Sequence, residues 1–248
     1  MSYRYVGVEL DVFAGAVNWK TYAAQKIERF IGGRVLEVGA GIGANVRFLL
    51  NRRVCEWTCL EPDPDLAGRI KVRLLRGDLP PRVCVVAGTM ASLDRSLQFD
   101  TILYLDVLEH IAEDRAELAK AVQLLAPGGH IVVLGPAHQF LFSAFDIAVG
   151  HYRRYNRAML LALTPPGCRL EMSMMLDTAG LFASLANRVL LSTSLPSKQQ
   201  IALWDRVLVP ISRVLDRATA YRFGKTVIVV WRWHSEASGL ALRPRLQS

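Results

Sequence analysis

The sequence predicts an α/β fold with a doubly wound sheet, and three observations support this prediction. Apolar, strand-like runs alternate five times with segments of helical spacing between residues 35 and 134. These runs are almost continuously apolar, as parallel strands are when helices cover both faces of the sheet. The first run, 35–38, ends in a turn with glycines at 39, 41 and 43 and leads into a helix-compatible segment. The sheet therefore begins with a strand, a tight turn and a helix.

The remaining elements follow in chain order. Apolar residues at loosely helical spacing predict one or two helices within 1–31, ahead of the sheet. Further strands are predicted at 57–60, 83–87, 99–104, 130–134, 168–176 and 226–233. Helices are predicted at 44–50, from about residue 65, and at 114–125 and 154–163, with a breaker and turn at 127–129.

Length and composition indicate one domain, 1–248, because no linker rich in proline, glycine or serine divides the chain. The segment between the last two strands has helical spacing and predicts a helical insertion over 181–224. The tail, 235–248, is polar and is expected to be frayed.

Several classes of protein are disfavoured by composition. No apolar run reaches the roughly 18–20 residues that span a bilayer. Glu9 and Asp11 interrupt the N-terminus and argue against a secretory signal, so a cytoplasmic location is expected. The four cysteines match no zinc pattern, and no metal site is predicted. The net charge of +8 is spread along the chain without a recognised nucleic-acid motif, so no nucleic-acid partner is expected.

The glycine turn alone leaves two cofactors open. Gly39, Gly41 and Ala44 satisfy the dinucleotide fingerprint G-x-G-x-x-[GA], and Glu61 follows about twenty residues later. A nicotinamide oxidoreductase would share this pattern. Glu37, two residues before the first glycine, and the segments after the fourth and fifth strands favour a different cofactor.

Four motifs occur in order: 35–43 (VLEVGAGIG), 59–63 (CLEPD), 106–111 (DVLEHI) and 124–129 (LLAPGG). In these motifs the chain resembles the class I S-adenosylmethionine-dependent methyltransferases, in particular a bacterial type 11/12-like subset. The resemblance covers about residues 30–175 and the final strand. It implies a seven-stranded Rossmann-like sheet with an antiparallel last strand, an enzyme, and S-adenosylmethionine as cofactor.

The resemblance also implies roles for residues near the glycine turn. Gly39, Gly41 and Gly43 would surround the methionyl part of the cofactor, with Glu37 near its ammonium group, for which a carboxylate is suited. Glu61 would accept hydrogen bonds from both ribose hydroxyls.

Later positions on the cofactor side depart from the family pattern or have two interpretations. Thr89 is neutral where many relatives have an acid for the adenine amino group, so adenine would be held by Met90 and backbone contacts. Asp106 would line the methionine or face the methyl acceptor. Glu109 and His110 would either serve the site or cap and brace the following helix.

The segment after the fifth strand would form the acceptor side of the site. Methyl transfer to a hydroxyl needs a group that removes its proton. His151, in the segment GHYRRY, titrates in a range suited to that task. His138 and Asp146 are the competing candidates for this catalytic role.

Two arginines follow this histidine. Arg153 and Arg154, with Tyr152 beside them, could clamp a carboxylate or phosphate on the acceptor. The alternative is that this segment is an ion-paired loop that packs against Asp146 or Glu171.

The insertion would cap the acceptor side. Its apolar stripe is accompanied by basic residues across 198–222, a pattern of helices that lie on a membrane or on an anionic ligand, although such a stripe is also typical of core contact. The leading hypothesis is methyl transfer to oxygen on a small-molecule or lipid-linked acceptor, with peripheral contact at the inner membrane face left open. A nicotinamide oxidoreductase and a non-catalytic interaction module are the alternatives. The acceptor's identity and the oligomeric state do not follow from the sequence.

Overall fold

A computed structural model describes residues 9–190 and 197–234, so the predictions for 1–8 and for the 235–248 tail lie outside the described residues. The strands are β1 Gly33–Val38, β2 Val54–Glu61, β3 Val83–Ala87, β4 Phe99–Leu105, β5 Leu125–Pro136, β6 Cys168–Leu176 and β7 Thr226–Trp233. The helices are α1 Glu9–Ala14, α2 Val17–Ile27, α3 Val46–Leu49, α4 Pro64–Leu75, α5 Asp114–Gln123, α6 Ala144–Ala148, α7 Arg157–Ala162, α8 Thr178–Leu190, α9 Lys198–Leu203 and α10 Val209–Ala218.

The seven strands form one sheet in the order β3-β2-β1-β4-β5-β7-β6. The pairs among β1 to β5 are parallel, whereas β7 runs antiparallel to both β5 and β6. The predicted fold class is therefore confirmed, including the antiparallel last strand between its neighbours. Because β7 runs in the opposite direction, its first residues lie at the same sheet edge as the carboxyl ends of the parallel strands. That edge holds the candidate site.

Three local predictions differ from the structure. The predicted turn at 127–129 lies within β5, since the β4–β5 register shifts between Phe99 and Thr101 and the extra residues are accommodated as a bulge. The helix after the glycine turn, α3, has only 4 residues. The helix α7 starts at Arg157, because the side chain of Asn156 caps it by accepting from the Met159 amide.

The insertion is joined to the N-terminal helix α2 by buried carboxylates. Asp205 accepts from the Trp19 amide at 2.8 Å, at the start of α2. Asp216 accepts from the Tyr22 hydroxyl at 2.9 Å and from the Thr178 amide at 2.9 Å. A π-helical segment, 204–208, separates α9 from α10 and contains Asp205. Each hydrogen bond to a buried carboxylate contributes about 1.5–3 kcal/mol, so these contacts fix the insertion on α2.

The outer side of the insertion carries apolar residues in an unusual arrangement. The buried positions of α10 include Ser212 and Asp216, both 0% exposed, whereas four apolar residues of the insertion face solvent. We call these residues the outward stripe; their exposed fractions are Leu203 60%, Val207 45%, Ile211 44% and Val214 68%. Among the described residues, no helix is both long and apolar enough to cross a bilayer.

Candidate active site

The glycine turn is held by one carboxylate and by one close approach. Glu61, at the end of β2, accepts from the Gly41 amide at 2.7 Å and from the Asp63 amide at 2.9 Å. Gly39 has a φ of +64°, and a Cβ there would lie 2.7 Å from Val107 Cγ2, which follows β4. Only glycine permits this backbone conformation and this contact without strain. The turn is thus joined to the ends of both β2 and β4.

Glu37 lies beneath the turn and is 1% exposed. It accepts from Asn45 Nδ2 at 2.8 Å and from Trp57 Nε1 at 3.1 Å. Burial raises the pKa of Glu37 to about 7, although both hydrogen bonds and the charge of Lys20 oppose this shift. Lys20 Nζ donates to Asn45 Oδ1 at 2.7 Å. A cationic ligand placed here would stabilise the ionised form of Glu37.

Asp106 follows β4 and is exposed at the sheet edge. Its φ of +56° lies in the left-handed region, which aspartate tolerates, and its amide donates to the Leu134 carbonyl at 2.8 Å. Desolvation by the surrounding protein raises the pKa of Asp106, and the charges of Lys20, His151 and Lys225 oppose this shift. Asp106 is therefore close enough to Lys20, near the glycine turn, and to His151 for both charges to act on it.

The two residues predicted to hold adenine have different environments. Thr89 is exposed, and its amide donates to Ser92 Oγ at 3.1 Å at the start of a short 3-10 turn. Met90 is 5% exposed and belongs to the hydrophobic core with Leu36 and Leu60. Met90 follows the end of β3, and its contact with adenine stays a prediction.

In the segment predicted to form the acceptor side, Asp146 holds the loop 150–155, which contains His151. Asp146 is 0% exposed and makes a bidentate pair with Arg154, through Nε at 2.7 Å and Nη2 at 2.9 Å. It also contacts His151 Nδ1 at 2.8 Å. Burial alone would raise the pKa of Asp146, but His151 and Arg154 outweigh it and hold that pKa well below its usual range. Asp146 therefore orients the imidazole of His151 and turns Nε2 away from itself.

The predicted anion clamp has internal partners. Arg153 donates to Asp114 at 2.6 Å and to the Ala112 carbonyl at 2.7 Å. Arg154 is committed to Asp146, as the ion-paired alternative anticipated, whereas Glu171 pairs with His130 at 2.9 Å instead. Both guanidinium groups are therefore paired with groups of the protein itself.

Tyr152 and His138, the other two candidates, contact different groups from those that His151 contacts. Tyr152 is 59% exposed, and its amide donates to the Glu109 carbonyl at 2.8 Å. His138 Nε2 contacts the Gly224 carbonyl at 3.0 Å, and its ring stacks on Phe140. His138 is thus held against the loop before β7.

Glu109 and His110 are drawn into the same region. Glu109 is 0% exposed, and its Oε1 lies 4.0 Å from His151 Nε2. Burial raises the pKa of Glu109 well above its usual range, and the charge of Asp106 adds to this effect. The His110 and His151 rings meet edge to face with centroids 4.5 Å apart. Burial and His151 lower the pKa of His110 to about 4.

Sequence reasoning missed several residues of this edge. Lys20 comes from α2, and only the tertiary packing of that helix reveals its position. Arg73 Nη1 donates to the Ile42 carbonyl at 2.7 Å and supports the glycine turn from α4. Lys225 precedes β7, so the antiparallel direction of that strand could have indicated its position at the edge. Asn45 could have been predicted from its place directly after the glycine turn.

Comparisons with known proteins agree with this geometry. Residues 36–131 match a family model described as a methyltransferase domain. The structure of the N-methyltransferase NodS from Bradyrhizobium japonicum in complex with S-adenosyl-L-homocysteine is similar with a TM-score of 0.55. That likeness has 12% identity and covers 89% of each chain. The chain thus has the fold of this methyltransferase. The resemblance indicated by the four sequence motifs is thereby confirmed.

Curated relatives share part of this methyltransferase-fold chain. A probable non-canonical nonribosomal peptide synthetase, CymA, from Salinispora arenicola is 33% identical over 55% of the chain. A demethylmenaquinone methyltransferase from Tropheryma whipplei is 29% identical over 60% of the chain. The chain spans 2% of the length of the first relative and 58% of the second.

Proposed function

We propose that this chain is an S-adenosylmethionine-dependent methyltransferase. The observation that carries the proposal is the set of carboxylates around the glycine turn, namely Glu37, Glu61 and Asp106. S-adenosylmethionine brings a sulfonium and an ammonium group, and carboxylates stabilise both cations. The similarity to a protein crystallised with S-adenosyl-L-homocysteine supports this choice of cofactor.

The same observations disfavour a nicotinamide dinucleotide. Its pyrophosphate is anionic and is usually bound by backbone N–H groups and the N-terminus of a long helix. Here the Gly41 amide is directed at Glu61, and the helix that follows the turn has only 4 residues. The acids would also repel the phosphates. A non-catalytic module is disfavoured because the glycines and Glu61 are retained.

Isothermal titration calorimetry with S-adenosyl-L-homocysteine tests the cofactor. We expect binding by the wild type and at least about tenfold weaker binding by Glu61→Gln, because the neutral amide accepts fewer of the hydrogen bonds that the ribose donates. Glu56→Gln, a partly exposed change on the same strand, is the matched control and should bind as the wild type does. Equal binding by wild type and Glu61→Gln, or tight binding of NADH, would contradict the proposal.

On the acceptor side, we propose oxygen as the nucleophile and His151 as the group that takes its proton. Asp146 fixes the ring through Nδ1, which leaves Nε2 as the atom that can accept a proton. Nε2 would take the proton of the acceptor hydroxyl, and S-adenosylmethionine, when bound, would supply the methyl group to that oxygen and keep its sulfur as a thioether. Arg153 and Arg154 support the loop through their carboxylate partners rather than by binding the acceptor. We propose a small-molecule or lipid-linked acceptor, with the insertion as the cap over this edge.

Turnover of His151→Asn tests the base. With a hydroxylated acceptor found by screening with methyl-labelled cofactor, we expect kcat to fall by about 10²–10⁴-fold, because proton removal loses its acceptor. The affinity for S-adenosyl-L-homocysteine should stay within about twofold of the wild type. The matched control is His234→Asn, at an exposed histidine. An unchanged kcat in His151→Asn would exclude this base.

We further propose that the chain acts in the cytoplasm and contacts the inner membrane face through 198–222. The outward stripe exposes four apolar side chains, and the exposed Arg206 and Arg217 flank it on the same segment. Apolar insertion combined with arginine attraction to anionic headgroups is the pattern of an interfacial helix. The net charge of +8 acts in the same direction.

Sedimentation with lipid vesicles tests this contact. We expect the full chain to pellet with phosphatidylglycerol vesicles and much less with phosphatidylcholine, because the arginines require an anionic surface. Val214→Glu should reduce binding several-fold by placing a charge in the stripe. Leu75→Glu removes an 88% exposed leucine on α4 and should bind as the wild type does. Equal binding by all three proteins would refute the contact.

A further inference from the structure

The methyl transfer proposed above gives the carboxylate of Glu109 no role. It is 0% exposed, and within 9–190 and 197–234 neither of its oxygens has a hydrogen-bond partner. Gly135 lies across from it, and a Cβ at that position would be 3.2 Å from Glu109 Oε2. A buried carboxylate is costly unless it is neutralised, paired or bound to a metal ion. Glu109 is therefore a buried acid, and hydrogen bonds do not offset the cost of burying it.

Two imidazoles face this carboxylate. Glu109, His110 and His151 each offer one ligand atom, and these atoms all lie within 4.8 Å of one another. A hydrogen bond also orients each ring. His151 Nδ1 contacts Asp146 at 2.8 Å, and His110 is hydrogen-bonded to the Gly150 backbone. Metal-binding histidines are typically oriented in this way, with the second nitrogen bonded to a carboxylate or a backbone carbonyl.

We propose that Glu109, His110 and His151 bind one divalent transition-metal ion of the zinc class. Two imidazoles and one carboxylate suit zinc and its neighbours, whereas magnesium and calcium prefer oxygen ligands alone. Ligand atoms around a tetrahedral zinc ion lie about 3.4 Å apart, as bonds of roughly 2.1 Å require. The cluster would therefore contract by up to about 1.4 Å on binding, which side-chain rotation of His110 and Glu109 can supply.

The ion would have a consequence for the proposed base. A metal bound to His151 takes the Nε2 lone pair that proton removal uses, so the metal-bound protein is an inhibited state. This consequence rests on the proposed function. Binding of the ion itself depends only on the three ligands and is measured separately.

Zinc binding by the full chain tests the site directly. The background protein carries Cys55→Ser and Cys84→Ser, so that these two exposed thiols cannot compete for zinc. After dialysis against zinc buffered by a chelator, elemental analysis should find one zinc ion per chain. Glu109→Gln and His110→Asn should each lower zinc affinity at least about tenfold, since each removes one of three protein ligands. His234→Asn should have no effect, and magnesium should not be retained.

The outcomes separate this site from the methyltransferase proposal. Zinc should leave the affinity for S-adenosyl-L-homocysteine unchanged and should lower turnover, and Glu109→Gln should resist this inhibition. Zinc retention that is equal in the wild type and in both ligand variants would overturn the metal site, provided that thermal melting shows the variants folded. Glu109→Gln keeps the shape of the side chain and removes its charge, so it serves if His110→Asn does not fold. Zinc binding with increased turnover would overturn the inhibited state.

Discussion

The hydrogen bond from the Gly41 amide to the carboxylate of Glu61, 2.7 Å long, is the contact on which the candidate site depends. It joins the turn after β1 to the end of β2, and the contact of Val107 with Gly39 joins the same turn to the end of β4. Three neighbouring strands thus end at fixed positions relative to one another. This junction holds Glu37, Glu61 and Asp106 near the same edge of the sheet.

The positions of Glu37 and Glu61 in the fold could be predicted from the sequence because local spacing sets them. Glu37 precedes the glycines by two residues, and Glu61 ends the next strand, so the order of a parallel sheet places both at its carboxyl edge. The strands 83–87, 168–176 and 226–233 were predicted with the bounds that the structure gives them. The bulge at 127–129 was missed because a Pro-Gly-Gly sequence is equally typical of a turn, and only pairing with β4 keeps it in the strand.

The acceptor side could be predicted only in part. Its residues were identified by type, but their partners depend on contacts between distant segments. Arg153 and Arg154 resemble an anion clamp in sequence, yet Asp114 and Asp146 neutralise them. Lys20 reaches the glycine turn from α2, a helix that Asp205 and Asp216 anchor to the insertion. In α10 the polar side chains of Ser212 and Asp216 are buried, whereas the outward stripe is exposed. No periodicity in the sequence distinguishes these two faces.

A crystal structure of the full chain with S-adenosyl-L-homocysteine tests whether the glycine turn binds the cofactor. We expect the ribose hydroxyls to lie about 3 Å from the Glu61 carboxylate and the ammonium group to lie beside Glu37. We also expect the thioether sulfur to face the side of Asp106 and His151. A ligand bound away from the glycine turn, with no contact to Glu37 or Glu61, would contradict the proposed cofactor site.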